Sequence, residues 1–468
     1  MLIKLLDFLN WAFMYYIFGY AITFFVSTLF AVTYLFERKE QERHDNDYYI
    51  RNEKNFIPIS VLVPAYNEEV TIADCILSLI TLDYPEYEVV IIDDGSKDGT
   101  VDHLIESFNL EQTARPVRKL LGTKPYHEIY TRNINGVMVT LVKKENGGKA
   151  DALNMGVNIS RYPYVVALDA DSMLLKKDSL KKISMPIMED ERTVAVGGNI
   201  NIANSVVIED GEVVKTFLPK NFAVLMQMVE YARIFITTRV WFNQFNGNLI
   251  ISGAFGLFRK DVVVSVGGYK SQSIGEDMLM VVDIHAFFRR NRKEYKISYV
   301  PDAICWSQVP EKWKDLATQR KRWHIGLMQS IFQHFYMFLN PTFGWIGMFS
   351  FVYYFFYETI SCVIELVGLI MIITSFSLGL INVQFFATFL LVYVLFSSVI
   401  SVSSILLSYY LLEDRYNLKR LLAYILLSLI EAVGYRQFST IQRLIAMLGY
   451  KKYSKSWGRI ERKSHLKS

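Results

Sequence analysis

The sequence predicts an α/β domain with a mostly parallel sheet, carried between apolar helical segments long enough to cross a bilayer. Three observations lead there. Apolar residues concentrate at both ends of the 468-residue chain, whereas the middle has the charge density of a soluble domain. In that middle, short β-branched runs alternate with helix-like stretches, the pattern of strands buried on both faces. Carboxylate-rich clusters follow these runs, at the strand ends where open α/β sheets bind ligands.

Composition sets limits. At 52% hydrophobic and 15% aromatic residues the chain is far from a disordered one. A net charge of +4 is too small to argue for nucleic acid, and no DNA- or RNA-recognition motif occurs, so no nucleic-acid partner is expected. Cys75, Cys305 and Cys362 are far apart and match no zinc spacing; they read as reduced structural thiols.

Residues 1–54 form an N-terminal anchor and its flank. No charge interrupts the stretch between Asp7 and Glu37, and Trp11–Phe36 is almost wholly apolar. A spanning helix needs about 20 such residues. A secretory leader would have an apolar region of only about 7–15 residues and then a small-residue cleavage site, and neither fits. Arg38, Lys39, Arg43, Arg51 and Lys54 follow the helix and only Lys4 precedes it, so the positive-inside bias puts the next domain in the cytosol and the N-terminus outside.

Residues 55–310 form the α/β domain. A buried strand over Ile59–Val63 leads to Pro64-Ala-Tyr-Asn-Glu68 and a helix-like run to Thr81. A second strand, Glu88–Ile92, ends in Asp93-Asp94-Gly95-Ser96, and a third, Tyr164–Leu168, ends in Asp169-Ala170-Asp171. Neither a dinucleotide-binding Gly-x-Gly-x-x-Gly nor a Walker A sequence occurs. A calcium loop starting at Asp94 fails because its twelfth position is Ile105. Asp169 and Asp171 are two apart at a strand end, so both carboxylates can point one way, a hard-oxygen pair suited to Mg²⁺ or Mn²⁺.

Residues 311–340 read as interfacial amphipathic helices: Trp313, Leu316 and Trp323 share one stripe, with Lys and Arg filling much of the rest. Residues 341–435 form a C-terminal transmembrane region, in which Phe343–Ser375 and Phe385–Leu412 are each long enough to span. Glu358 and Glu365 lie about two helical turns apart. Either they face a bundle interior or aqueous path, or Glu358 marks a break in the run. Leu421–Val433, with Glu431, is short and reads as a tilted span or a re-entrant piece. The basic tail, 436–468, contains Arg443, Lys451, Lys452, Lys455, Arg459, Arg462 and Lys463; its cytosolic placement requires an even number of crossings after residue 340.

The ordered motifs Pro64-Ala-Tyr-Asn-Glu68, Asp93-Asp94-Gly-Ser, Gly147-Gly-Lys149-Ala-Asp-Ala-Leu-Asn154, Asp169-Ala-Asp171, Gly275-Glu-Asp277 and Gln319-Arg-Lys-Arg322-Trp323 resemble glycosyltransferase family 2 over about residues 58–325. The last motif resembles that of its processive membrane members, the cellulose, hyaluronan and bacterial poly-N-acetylglucosamine synthases. The resemblance implies a GT-A-type glycosyltransferase domain plus an α-helical transmembrane region, and inverting transfer from a UDP-sugar to a polysaccharide or glycan acceptor. It also implies a multi-pass protein of the cell membrane, with the lipid bilayer and an accessory export subunit as candidate partners. The tail is expected to leave no room for a folded regulatory domain of the cyclic-dinucleotide-binding kind.

Carried over residue by residue, the resemblance assigns Tyr66, Glu68 and Asp94 to the uracil and ribose, Lys149 to the diphosphate or ribose, and Gln319 and Arg322 to the diphosphate. Asp169 lies near the donor, and Asp171, with Asp169, holds Mg²⁺ or Mn²⁺. Asp277 is the general base, with Glu276 beside it in the catalytic motif. Ser252, Gly253, Ala254 and Phe255 line the acceptor site, and Trp323 is a platform for the acceptor sugar. Two departures stand out: Gly275, where Thr is common, and a longer, charged insertion over 109–140. Two other readings compete with a processive synthase: nonprocessive transfer to a lipid-linked acceptor, and a catalytically silent scaffold subunit.

Overall fold

The computed structural model describes residues 2–51, 56–209, 212–412 and 418–453. Lys54 and the basic tail residues Lys455, Arg459, Arg462 and Lys463 lie outside the described residues, and of Arg43 and Arg51 only the backbone is described.

The strands, in chain order, are β1 (Ile59–Ala65), β2 (Tyr87–Asp93), β3 (Glu111–Gln112), β4 (Tyr126–Ile134), β5 (Val137–Lys144), β6 (Tyr164–Ala167), β7 (Ser172–Met173), β8 (Thr193–Ile202), β9 (Val206–Glu209), β10 (Glu212–Thr216), β11 (Gly256–Arg259) and β12 (Lys296–Ser307). Ten of them form one sheet in the order β3-β4-β5-β2-β1-β6-β11-β8-β12-β7, while β9 and β10 make a separate hairpin. The continuous apolar runs are strands covered on both faces. Val61, Val63, Val89 and Ile91 pack in one core. Their alternates Leu62, Val90 and Ile92 pack in the core on the other side.

The expectation of a mostly parallel sheet needs correction. Parallel pairing is confined to the β5-β2-β1-β6 block and to β8-β12; the other five pairings are antiparallel. Within the insertion at 109–140 the cause is local. Asn135 and Gly136 both have positive φ, 51° and 89°, the two-residue turn that folds a strand straight back on itself. The insertion therefore becomes an edge hairpin. Both outer strands of the sheet, β3 and β7, are only two residues long.

Among the described residues three helices are long and apolar enough to cross a membrane: Leu6–Glu40, Phe386–Leu411 and Lys419–Leu448. A further pair, Ile346–Thr359 and Ser361–Ser377, passes the same test together and is bent by 52°. The stretch read as short at 421–433 is thus part of a longer helical run. The two ends of that run touch the α/β domain and the helix that follows it, Trp313–Gln333. Arg420 donates to Thr216 Oγ1 at 2.9 Å near its start, and Lys321 Nζ lies 5.2 Å from the Tyr453 ring just past its end.

Candidate active site

The site forms where the parallel strands end. Asp94 N–H donates to the Ala65 carbonyl at 2.9 Å, tying the end of β2 to that of β1. The Asn67 side chain accepts from Lys97 N–H at 2.8 Å, and Glu68 N–H donates to Thr100 Oγ1 at 3.0 Å, so the loop carrying Tyr66 and Glu68 is pinned to the next one. Tyr66 is exposed.

Asp94 is held by its own loop. Its carboxylate accepts from Gly147 N–H at 2.9 Å, Gly148 N–H at 2.7 Å and Lys144 Nζ at 2.6 Å. Lys144 is fully buried and Asp94 3% exposed, where hydrogen bonds to a charged group are strong. Asp94 thus anchors the glycine loop that starts helix Lys149–Ile159.

That anchored helix delivers Lys149. Its ammonium lies 2.5 Å from Asp169 Oδ1 and 3.3 Å from Glu276 Oε1. Burial works against the charge, but Asp169 and Glu276 outweigh it and hold the ammonium above its usual range. Glu276 is pushed up to about 7, chiefly by burial; Lys149 opposes the shift and Asp277 adds to it. The shorter contact goes to Asp169, so Glu276 gains too little from Lys149 to offset its own desolvation. Asp277 accepts from Gly253 N–H at 3.1 Å and from Met278 N–H at 2.8 Å, which fixes the carboxylate at the start of helix Glu276–Arg290.

The glycine preceding this helix has a packing reason. A Cβ on Gly275 would lie 2.8 Å from the Gly326 Cα, and one on Gly326 would lie 2.7 Å from the Gly275 Cα. The backbone carrying Asp277 thus rests directly on helix Trp313–Gln333, where a threonine would not fit.

Helix Trp313–Gln333 contributes Gln319, Arg322 and Trp323 to the same cavity. Gln319 is buried and its Oε1 lacks a donor. Trp323 is 42% exposed, with its ring 6.4 Å from that of Tyr231. Sequence reasoning passed over Arg320, which is buried, lies 2.5 Å from Glu230 and donates to the Tyr435 hydroxyl at 2.9 Å. That network locks helix Trp313–Gln333 to the helical run 419–448. Nothing in the local pattern separates Arg320 from Arg322, because both are basic residues on one amphipathic helix.

One cavity of about 650 Å³ gathers Lys149, Asp169, Asp171, Ser252, Gly253, Ala254, Glu276 and Asp277 with Gln319, Arg322 and Trp323. Tyr66, Glu68 and Asp94 are not among its walls. Nor is Phe255, which corrects its expected acceptor role: its ring is fully buried in the core, in the space left by Gly198. The cavity continues between the apolar helices, past Tyr16, Tyr20, Glu358, Glu365, Tyr393 and Arg436. Both alternatives for Glu358 hold at once, since it adjoins the bend at Ile360 and also faces the cavity. Glu431 is paired by two contacts of 3.0 Å from Arg233 and one of 3.4 Å from Arg436. Asp171 accepts from Ser172 Oγ at 3.3 Å. Among the described residues no group of three His, Cys, Asp or Glu side chains could enclose a metal ion.

Comparison with known proteins accounts for this arrangement. The profile of Glycosyl transferase family group 2 matches residues 164–412, and that of Glycosyl transferase family 2 matches residues 60–119. Poly-beta-1,6-N-acetyl-D-glucosamine synthase of Staphylococcus epidermidis is 31% identical over 278 residues, 59% of this chain and 56% of the relative. The synthase of the same description from Staphylococcus aureus (strain COL) is 30% identical over the same shares. The chain thus spans 56% of the length of these curated relatives. Among solved structures, the mannosyltransferase of Pyrobaculum calidifontis in complex with GDP-Man and Mn²⁺ superposes with a TM-score of 0.51 at 17% identity, covering 88% of this chain and 99% of that one. The α/β domain has the GT-A type of fold. The match to more than half of its residues makes this chain a member of glycosyl transferase family group 2.

Proposed function

We propose that this protein transfers a sugar from a UDP-sugar, with inversion, to the end of a growing glycan and passes the product between its own helices. The carrying observation is the single cavity joining Lys149, Asp169 and Asp277 to the aromatic and charged walls among the apolar helices. UDP-N-acetylglucosamine is the donor to test first, because the relatives are poly-beta-1,6-N-acetyl-D-glucosamine synthases.

In this reading Asp277 removes the proton of the acceptor hydroxyl. The freed oxygen attacks the anomeric carbon as UDP leaves from the opposite face, which inverts the configuration. The N–H groups of Gly253 and Met278 aim the carboxylate. Lys149 and Arg322 receive the diphosphate, Arg322 through its forked donors. Tyr66 and Glu68, on the loop outside the cavity, take the nucleoside. Trp323 presents a ring face to the acceptor sugar.

Asp169 and Asp171 supply two hard carboxylates at one wall. Without a third protein ligand, that set fits Mg²⁺ or Mn²⁺, ions that commonly complete their shell with water and substrate phosphate. When bound, the ion would neutralise charge on the departing diphosphate.

Arg38 and Lys39, at the C-terminal end of the apolar helix Leu6–Glu40, orient the domain to the cytosol. The helix at 419–448 lies along the membrane surface, because both of its ends meet the cytosolic domain. The bent pair at 346–377 and the helix at 386–411 then make the two crossings that an even count requires.

The test is purified protein incubated with a panel of UDP-sugars, with and without EDTA, measuring UDP release and product size. Long products from UDP-N-acetylglucosamine, lost in EDTA and restored by Mn²⁺ or Mg²⁺, support the reading. Single-sugar products would replace it with nonprocessive transfer, and no UDP release from any donor with the scaffold.

A further inference from the structure

A second, smaller cavity of about 100 Å³ lies beside the catalytic one, and Ile200 and Tyr231 line both. Its floor is the end of the β8–β12 pair. Asn201 and Trp306 are register partners across that parallel pair, which puts their side chains on one face of the sheet. Both line the cavity. The indole N–H of Trp306 and the amide nitrogen of Asn201 are buried and have no acceptor. Trp306 is only 6% exposed. Buried donors are nearly always satisfied in native proteins, so two unpaired donors on neighbouring residues that line one cavity call for an acceptor from outside the chain.

The walls narrow the chemistry. Met228, Tyr231, Ile405 and Tyr409 are apolar or aromatic, and Tyr424 and Arg420 come from the surface helix. The cavity therefore sits where the cytosolic end of a spanning helix, the surface helix and the β9–β10 hairpin meet. Arg420 marks this level by donating to the backbone carbonyl and to Oγ1 of Thr216. A group that accepts hydrogen bonds, donates none, continues into apolar chains and resides at this depth is the acyl ester of a phospholipid. The interfacial aromatic residues suit the same zone.

We infer that this cavity is a phospholipid site of the cytosolic leaflet, with an acyl ester carbonyl accepting from Trp306 Nε1–H and Asn201 Nδ2–H. The inference rests on the membrane placement above and not on the sugar chemistry. It ties the end of β12, which leads directly into the interfacial helix bearing Gln319 and Trp323, to a bound lipid.

The test is native mass spectrometry of the full chain in mild detergent, titrated with a phosphatidylglycerol carrying two acyl esters and with its diether analogue, which lacks both carbonyls. Wild-type protein should hold the diester roughly three- to tenfold more tightly than the diether, the range expected for one or two hydrogen bonds. Trp306→Phe, which keeps the ring and removes the donor, should erase that preference. Equal binding of diester and diether by wild type overturns the inference without needing any variant to fold. Displacement of the diester by N-acetylglucosamine oligomers also overturns it, by making the cavity a glycan subsite. Failure of either kind leaves UDP release unaffected, so it is distinct from failure of the transferase reading.

Discussion

Replacing Gly275 with alanine tests whether the position of Asp277 is set by backbone contact. The added Cβ would stand 2.8 Å from the Gly326 Cα and 3.0 Å from its carbonyl carbon, both backbone atoms unable to swing aside. Carbon atoms rest at about 3.5–4.0 Å, so the start of helix 276–290 and helix 313–333 must part by roughly 1 Å. Overpacking of this kind costs about 1–3 kcal/mol. For a chain of 468 residues that corresponds to a fall of roughly 1–3 °C in the apparent melting midpoint. The displaced segment carries Asp277, and a shift of about 1 Å at a reacting group costs on the order of 100-fold in rate. UDP binding should weaken far less than turnover, because Lys149 and Tyr66 sit on other elements and only Arg322 of the proposed donor contacts rides on helix 313–333. Gly326→Ala should reproduce both effects from the opposite side, and the double variant should be far from additive. The assay is UDP release together with a melting curve. A Gly275→Ala protein with wild-type turnover and wild-type midpoint would refute the contact argument.

Asp277→Asn should abolish turnover while leaving UDP binding largely intact, read by UDP release and by calorimetric titration; retained turnover would remove Asp277 as the base. Asp94→Asn leaves the buried Lys144 ammonium without its closest full charge apart from Asp151, which lies 2.6 Å away. Asp151 still compensates the ammonium, so the loss is that of a hydrogen bond between charged groups, about 1.5–3 kcal/mol, and the midpoint should fall even with no substrate present. Glu276 is pushed up to about 7. The folded state therefore keeps a proton that the unfolded chain releases from its ordinary, lower pKa. That contribution to stability is present at low pH and is lost as pH rises towards 7. Glu276→Gln should flatten the decline in melting midpoint between pH 5 and pH 8, and an unchanged slope would count against the raised pKa.

The sequence was legible where chemistry and periodicity coincide. The β-branched runs at 59–63 and 88–92 fall inside observed strands, and the Asp169 and Asp171 carboxylates that follow the run at 164–168 meet Lys149 and Asp277 in one cavity. It was illegible where direction matters. Ala254 faces the cavity while Phe255 points into the core, and composition does not distinguish adjacent residues at a turn. Asp94 shows the same limit, because a carboxylate at a strand end reads alike whether it meets a ligand or its own loop. The Asn135-Gly136 signal was readable and went unused, and with it the antiparallel edge. The pairing of Glu431 with Arg233 joins residues 198 positions apart, a distance across which no local pattern reports.

The two-residue strands at both margins of the sheet matter most once the protein is confined to a plane. In the proposed membrane placement, copies anchored by their helices share one orientation and meet far more often than freely tumbling molecules. An open edge presents unpaired backbone groups to every such encounter. Here β3 and β7 end the ladder after two residues each, and Arg132 on the neighbouring strand donates to the Asn109 carbonyl at 2.8 Å. Little template remains for a second sheet to extend. Crowding within the bilayer can therefore rise without fusing one molecule's sheet to the next.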